Sequence, residues 1–311
     1  MAVRPIFPAV QLLSDVLKEF EQLAADNTSG ATELIRKLLA LCESCAIGYR
    51  FPELREGFAM LEHVQESMPS FHAVLQILKS EFLSKLREDD ETADAISYLS
   101  SLEKILTQSG EQIAGIFSGL FNAPVTVTTI SRSSTVLSAL YRLHDIGRLA
   151  HVHLLEGRPL FEGRRSARDL YDHGILTTLM IDAAMAEAVS RSDVVVVGAD
   201  SISADGYLLN KTGTRSLSLC CAMLQRPLYV LCDSLKFSPQ LHAQIPVEDH
   251  PGEELLGIGE KEEFRIWNRY FEWTPVENIH AFITERGAFR PDQLSALAGE
   301  ADSAAESEQL P

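Results

Sequence analysis

Apolar residues in the first third of the chain recur at intervals of three and four: Val10, Leu13, Leu17, Phe20 and Ala24, then Leu34, Leu38, Leu41 and Cys45. That spacing stacks them on one face of a helix. Residues 71–86 and 95–120 keep the same period, and no alternating run interrupts them, so residues 1–120 are predicted to form a helical N-terminal domain. The acidic run at 88–91 reads as a solvated junction between two of its helices. From Pro124 the rhythm changes. Short β-rich runs at 125–130, 151–156, 177–182, 194–198 and 228–232 alternate with amphipathic stretches of helix length. Repeated strand, helix, strand units predict an α/β fold, a Rossmann-like and mostly parallel sheet spanning residues 121–298 with helices on both faces. The four valines at 194–197 suit a central strand buried on both sides. Residues 247–263 are polar and interrupted by Gly and Pro, which predicts a surface excursion. A late strand at 271–273, a closing helix at 275–286 and an acidic, flexible tail at 299–311 complete the expected order.

Composition narrows the partners. Lys and Arg number 27 against 44 Asp and Glu, a formal charge of -17, so most of the surface repels nucleic-acid phosphates and broad duplex binding is excluded. Any anion site must therefore be built locally. No apolar run approaches the about 18 residues of a membrane helix, and the opening stretch, with Pro5 and Pro8, lacks the apolar centre of a signal peptide. A cytoplasmic protein without membrane partners is expected. The cysteines, 42, 45, 220, 221 and 232, are odd in number, which argues for thiols over a disulfide framework. Cys42 and Cys45 form a CxxC on the apolar side of a helical pattern with no second pair at zinc spacing, so helix packing is expected and no metal site. His151 and His153 alternate along a strand, in core or surface roles.

In open parallel sheets, ligands collect beyond the carboxyl ends of the strands where strand order reverses. Each predicted strand exit is polar here. The first is Ser131-Arg132-Ser133-Ser134-Thr135 ahead of an apolar helical pattern, which surrounds the positive end of a helix with hydroxyls and amides and suits a phosphate. The second is Glu156-Gly157-Arg158-Pro159, where Arg158 offers a forked cation for bidentate phosphate contact or a surface salt bridge. Asp182 and Asp200 end apolar strands, as proton-transfer groups raised by burial or as caps of the next helix. Asn210-Lys211 and Thr212-Gly213-Thr214 follow the Asp205-Gly206 turn as a loop opening a helix at 215–222, a further donor cluster. Lys236 lies past the fifth strand. No GxGxxG follows a strand and no P-loop is present, and Gly257-Ile258-Gly259 has no strand before it, so no dinucleotide or other cofactor is expected.

These motifs together resemble the initiation factor 2B alpha/beta/delta family, which includes ribose-1,5-bisphosphate isomerase and methylthioribose-1-phosphate isomerase. The resemblance is carried by Gly198-Ala199-Asp200-Ser201-Ile202, Asp205-Gly206 and Asn210-Lys211-Thr212-Gly213-Thr214 in order. Glu156-Gly157-Arg158-Pro159 with Gly163, Asp182-Ala183-Ala184, and Lys236-Phe237 with Pro239 support it. It implies a helical domain ahead of a Rossmann-like domain and a homodimer or larger homo-oligomer. It further implies a phosphorylated pentose or nucleotide as ligand, with contacts from Ser133, Ser134, Arg158, Asn210, Lys211, Lys236 and Gly30. Catalysis would fall to Asp200, with Ser131 where the isomerases carry a cysteine. Ser29 likewise stands where the isomerases carry an arginine before Gly30-Ala31. Either the chain is a phosphosugar-binding protein with at most weakened aldose-ketose isomerase activity, or it is a non-catalytic 2B-like regulatory subunit working through homologous subunits. A full isomerase in which Asp182 or His144 activates Ser131 is the remaining reading.

Overall fold

The computed structural model describes residues 9–26, 29–62, 64, 68–86, 92–256 and 264–294; the expectations for 88–91, for Gly257-Ile258-Gly259 and for 299–311 lie outside them. Its contacts divide the chain into two units, residues 1–107 and 108–311.

The first unit is helical. Helices α1 (Ala9–Ala24), α2 (Ala31–Ile47) and α3 (Phe51–Met60) are followed by α4 (Pro69–Ile77), which passes through a π turn at Leu78–Phe82 into α5 (Leu83–Lys85). Helix α6 (Ala93–Gly119) begins in this unit and ends in the second. The predicted stripes reach the core in part: Phe20, Leu34, Leu38, Phe71 and Phe82 are almost fully buried, Leu17, Ala24 and Leu41 only partly, and Val16, Leu23 and Phe58 join the core from outside them. Cys42 and Cys45 are buried in α2 as free thiols, and burial pushes both up, Cys45 to about 11, which keeps them protonated and inert.

The second unit is a seven-stranded sheet. Strands β1 (Val125–Ile130), β2 (Leu149–Leu155), β3 (Thr177–Met180) and β4 (Val194–Val197) are its first four. Then come β5 (Ser201–Ile202), β6 (Tyr207–Lys211), β7 (Leu228–Leu231), β8 (Phe271–Pro275), β9 (Ala281–Thr284) and β10 (Gly287–Phe289). The order across the large sheet is β10-β9-β7-β4-β1-β2-β3, parallel except for the β9–β10 hairpin. A small antiparallel sheet, β5-β6-β8, stands beside it. Helices α7 (Ser134–Asp145), α8 (Glu162–Asp172), α9 (Met185–Ser190) and α10 (Thr214–Leu224) make the crossovers. Strand β4 shows why the sheet needs helices on both faces. Val194 and Val196 join one buried cluster with α7 and the end of α6, whereas Val195 and Val197 join the other with α9 and α10.

Two expectations are corrected. The closing helix at 275–286 is instead strand β9, parallel to β7, followed by the β10 hairpin. Ala281, Phe282, Ile283 and Thr284 are buried consecutively, a run too short for its period to separate helix from strand. Asn210 and Lys211 do not sit in a loop but end β6, where pairing with β8 through Asn210–Glu272 and Lys211–Phe271 takes over the backbone.

Candidate functional site at the carboxyl edge of the sheet

The chain runs from β1 outward to β2 and β3, then returns to place β4 on the other side of β1. Strand order therefore reverses between β1 and β4, and the carboxyl ends of these two strands flank the crevice. Ser131 is the first residue past β1. It is buried, its N–H donates to the Leu155 carbonyl at 3.3 Å and its carbonyl accepts from Ser166 Oγ at 3.0 Å. Its φ of 64° is the left-handed region, which costs a residue with a Cβ on the order of 1 kcal/mol.

Two residues on, Ser133 caps α7 by accepting from the Val136 N–H at 3.4 Å. The N–H groups of Ser134 and Thr135 point out of the same helix start with no acceptor among the described residues. Across the crevice Gly198 follows β4, and a Cβ there would stand 2.6 Å from Ser133 Oγ. Only glycine admits the serine.

The β2 exit closes over the same place. Gly157 has a φ of 71°, and a Cβ on it would meet Ser131 Cβ and Glu162 Oε2, each at 3.2 Å. Ser131 Cβ and Glu162 Oε2 therefore lie no further apart than twice that distance. Gly163 lets α8 pack this close, because a Cβ on it would collide with the Leu155 carbonyl at 2.3 Å. Asp182 clasps the loop from the β3 side: its carboxylate accepts from the N–H groups of Gly157 and Arg158 at 2.9 and 2.7 Å. No hydrogen bond joins it to Ser131. His144 stands in the last turn of α7, roughly 15 Å along the helix from its start. Neither is placed to activate the serine.

From the small sheet come the buried polar groups. The Asp200 N–H donates to the Leu209 carbonyl at 2.9 Å, so Asp200, buried, follows β4 beside the end of β6. Asn210 Nδ2 donates to Thr214 Oγ1 at 3.0 Å. Lys211, 3% exposed, sends its ammonium to Glu162 Oε1 at 2.7 Å and lies 5.2 Å from the Tyr270 ring. Tyr270 in turn donates to Glu254 at 2.6 Å and stacks on His250, with ring centroids 3.4 Å apart. Burial, with Lys211 nearby, holds the His250 imidazole below its ordinary value against the opposing carboxylates of Glu254 and Glu248. Lys236 is buried in the turn Ser234–Lys236 past β7, and that segment bridges to β5 at Ile202 and Phe237. Arg158 is exposed, its guanidinium 4.8 Å from the Phe161 ring. Gly30 belongs to the first unit, where it precedes α2 with an extended backbone and open space beside its Cα.

The second donor cluster expected at the start of α10 is already filled by the protein. Glu272 on β8 accepts from the N–H groups of Gly213 and Arg215 at 2.7 and 2.9 Å. Glu162 is the residue the sequence reading missed. It is 7% exposed, and its Oε2 has no partner among the described residues. Among those residues no cluster fits a metal ion and no helix is long and apolar enough to cross a membrane.

The Initiation factor 2 subunit family model matches residues 9–291, and the chain belongs to that family. Ribose 1,5-bisphosphate isomerase of Archaeoglobus fulgidus is 34% identical over 174 residues, 54% of each chain. A putative translation initiation factor eIF-2B subunit 2-like of Pyrococcus abyssi is 28% identical over 89% of this chain and 96% of its own. Among solved structures, the Pyrococcus horikoshii OT3 translation initiation factor eIF-2B superposes with a TM-score of 0.74 at 25% identity, covering 90% of this chain and 98% of that one. The chain spans about half the length of the curated isomerases it matches in sequence.

Proposed function

We propose that this chain binds a pentose 1-phosphate, with ribose 1,5-bisphosphate as the reference ligand, at the carboxyl edge of the seven-stranded sheet. The carrying observation is the convergence at the β1–β4 switch point of the strained Ser131, the open amides of Ser134 and Thr135, and the buried Asp200. One phosphate rests on the α7 start with Ser133 and Ser134, and Arg158 and Lys236 supply charge for the other. Lys211 retains two N–H donors beyond the one on Glu162, and Asn210 orients the sugar. A sugar phosphorylated at C1 has no free anomeric hydroxyl, so opening its ring requires a proton delivered to the ring oxygen; Asp200 is the group for that step. A serine hydroxyl is essentially un-ionised at neutral pH, so Ser131 is a poor substitute for a thiolate as base. The likeness to ribose 1,5-bisphosphate isomerase over half its length supports the reading.

Thermal unfolding with ribose 1,5-bisphosphate tests it. At 100 times its dissociation constant the ligand adds about 2.7 kcal/mol, and no stabilisation at millimolar ligand overturns the assignment. Ser131→Cys is expected to raise isomerase turnover; an unchanged rate points to a base elsewhere. A second reading, a non-catalytic 2B-like subunit, is favoured by the match to the eIF-2B subunit 2-like protein over nearly both whole chains. It predicts co-purification with homologous subunits from native extract, and recovery of a homodimer alone counts against it.

A further inference from the structure

We infer that Glu162 is the proton-transfer base of this site, doing with a carboxylate what Ser131 cannot do with a hydroxyl. The inference rests on the pentose 1-phosphate reading above and adds the reaction to it. Four observations meet at one residue. Glu162 is buried at the first position of α8, where the helix dipole favours a negative charge. Lys211, itself buried, holds Oε1 at 2.7 Å, which fixes the carboxylate in one orientation. Oε2 is left without a partner among the described residues, an orphan acceptor in a buried place. That orphan lies close to the β1 exit, because a Cβ on Gly157 would stand 3.2 Å from both Glu162 Oε2 and Ser131 Cβ. Asp182, which holds the neighbouring loop, has both of its oxygens engaged.

The chemistry balances with two carboxyl groups. Asp200 gives its proton to the ring oxygen as the C1–O bond breaks, with the bonding pair leaving on oxygen and the charge at C1 shared with the oxygen of its phosphate. Glu162 Oε2 takes the proton from C2, and that C–H pair becomes the C1–C2 double bond, leaving an enol phosphate. The Asp200 carboxylate then removes the proton of the C2 hydroxyl as C2 becomes a carbonyl. The double-bond pair takes the proton back from Glu162 at C1. Both carboxyl groups return to their starting states, no oxidant or reductant enters, and an aldose 1-phosphate has become a ketose 1-phosphate.

The test uses the full chain, ribose 1,5-bisphosphate, and its form deuterated at C2. The wild-type chain should convert the sugar to the ketose with a slowed rate on the deuterated form and deuterium carried in part to C1. Glu162→Gln should lose on the order of 100-fold or more in turnover while keeping its dissociation constant within about threefold and its deuterium unexchanged. Glu162→Asp, which keeps the charge opposite Lys211 but draws the base back, should bind as well and recover part of the rate; it also serves if the Gln variant fails to fold. Glu162→Gln turning over at the wild-type rate, or wild-type chain that binds the sugar and never releases its C2 hydrogen, overturns the inference and leaves the binding site standing. Absence of binding by the wild-type chain removes the binding reading and this inference with it.

Discussion

Helices α7 and α10 both begin at the carboxyl edge of the same domain, and both present backbone N–H groups to an anion, yet only one is open. At α10 the carboxylate of Glu272 already accepts from Gly213 and Arg215, so the helix start is closed by a residue from β8. At α7 the cap is Ser133 alone, through one long bond to Val136, and the amides of Ser134 and Thr135 remain free for a ligand. The same dipole does structural work in one place and is kept in reserve in the other. Helix α8 lies between these cases, because its own Glu162 occupies the start and only one of that carboxylate's oxygens is engaged. A protein-supplied carboxylate closes the α10 start, whereas the Ser133 cap leaves two amides of the α7 start without an acceptor among the described residues.

The difference can be broken by substitution. Lys211→Met strands the buried Glu162 charge and is expected to cost about 3–5 kcal/mol, read by chemical denaturation. Adding Glu162→Gln to that variant should recover much of the loss; equal stability of the single and double variants would show that the ion pair matters little. Glu272→Ala uncovers α10 and should cost roughly 1–2 kcal/mol with no change in affinity for ribose 1,5-bisphosphate. Weakened binding there would mean that both helix starts serve the ligand. Ser133→Ala should cost less, about 0.5–1 kcal/mol of stability, but weaken the ligand on the order of tenfold through one lost bond to a charged group. Unchanged affinity would remove α7 from the site.

The smallest effect is a pH slope. His250 is held below its ordinary value in the folded chain, so on acidification the unfolded state takes up its proton first and stability falls as pH drops through about 6.5. His250→Phe, which keeps the stack on Tyr270, should flatten the slope over that window in unfolding curves. An unaltered slope would place the titration elsewhere.

Where burial imposes one simple rule, the sequence was readable. Four β-branched valines in a row favour a strand covered on both faces, and β1, β2, β4 and β7 lie within two residues of their predicted ends. The order of motifs at the strand exits carried the family. What failed was decided by contacts distant along the chain. Strand β9 is a run of four whose pairing with β7 no local period reveals, and Asn210 and Lys211 became a strand because residues some 60 positions later lie beside them. Glu162 escaped notice for the same reason. A glutamate at the start of a helix is ordinary, and only the fold sets it against Lys211 and close to Ser131. The signal available was Glu162-Gly163, a glycine at a helix start, which announces close approach to something.

Co-crystallisation with ribose 1,5-bisphosphate tests the account most directly. The predicted density has one phosphate on the amides of Ser134 and Thr135 and sugar C2 toward Glu162 Oε2. A sugar bound away from the β1–β4 crevice, or with its phosphate at the start of α10 displacing Glu272, would contradict it.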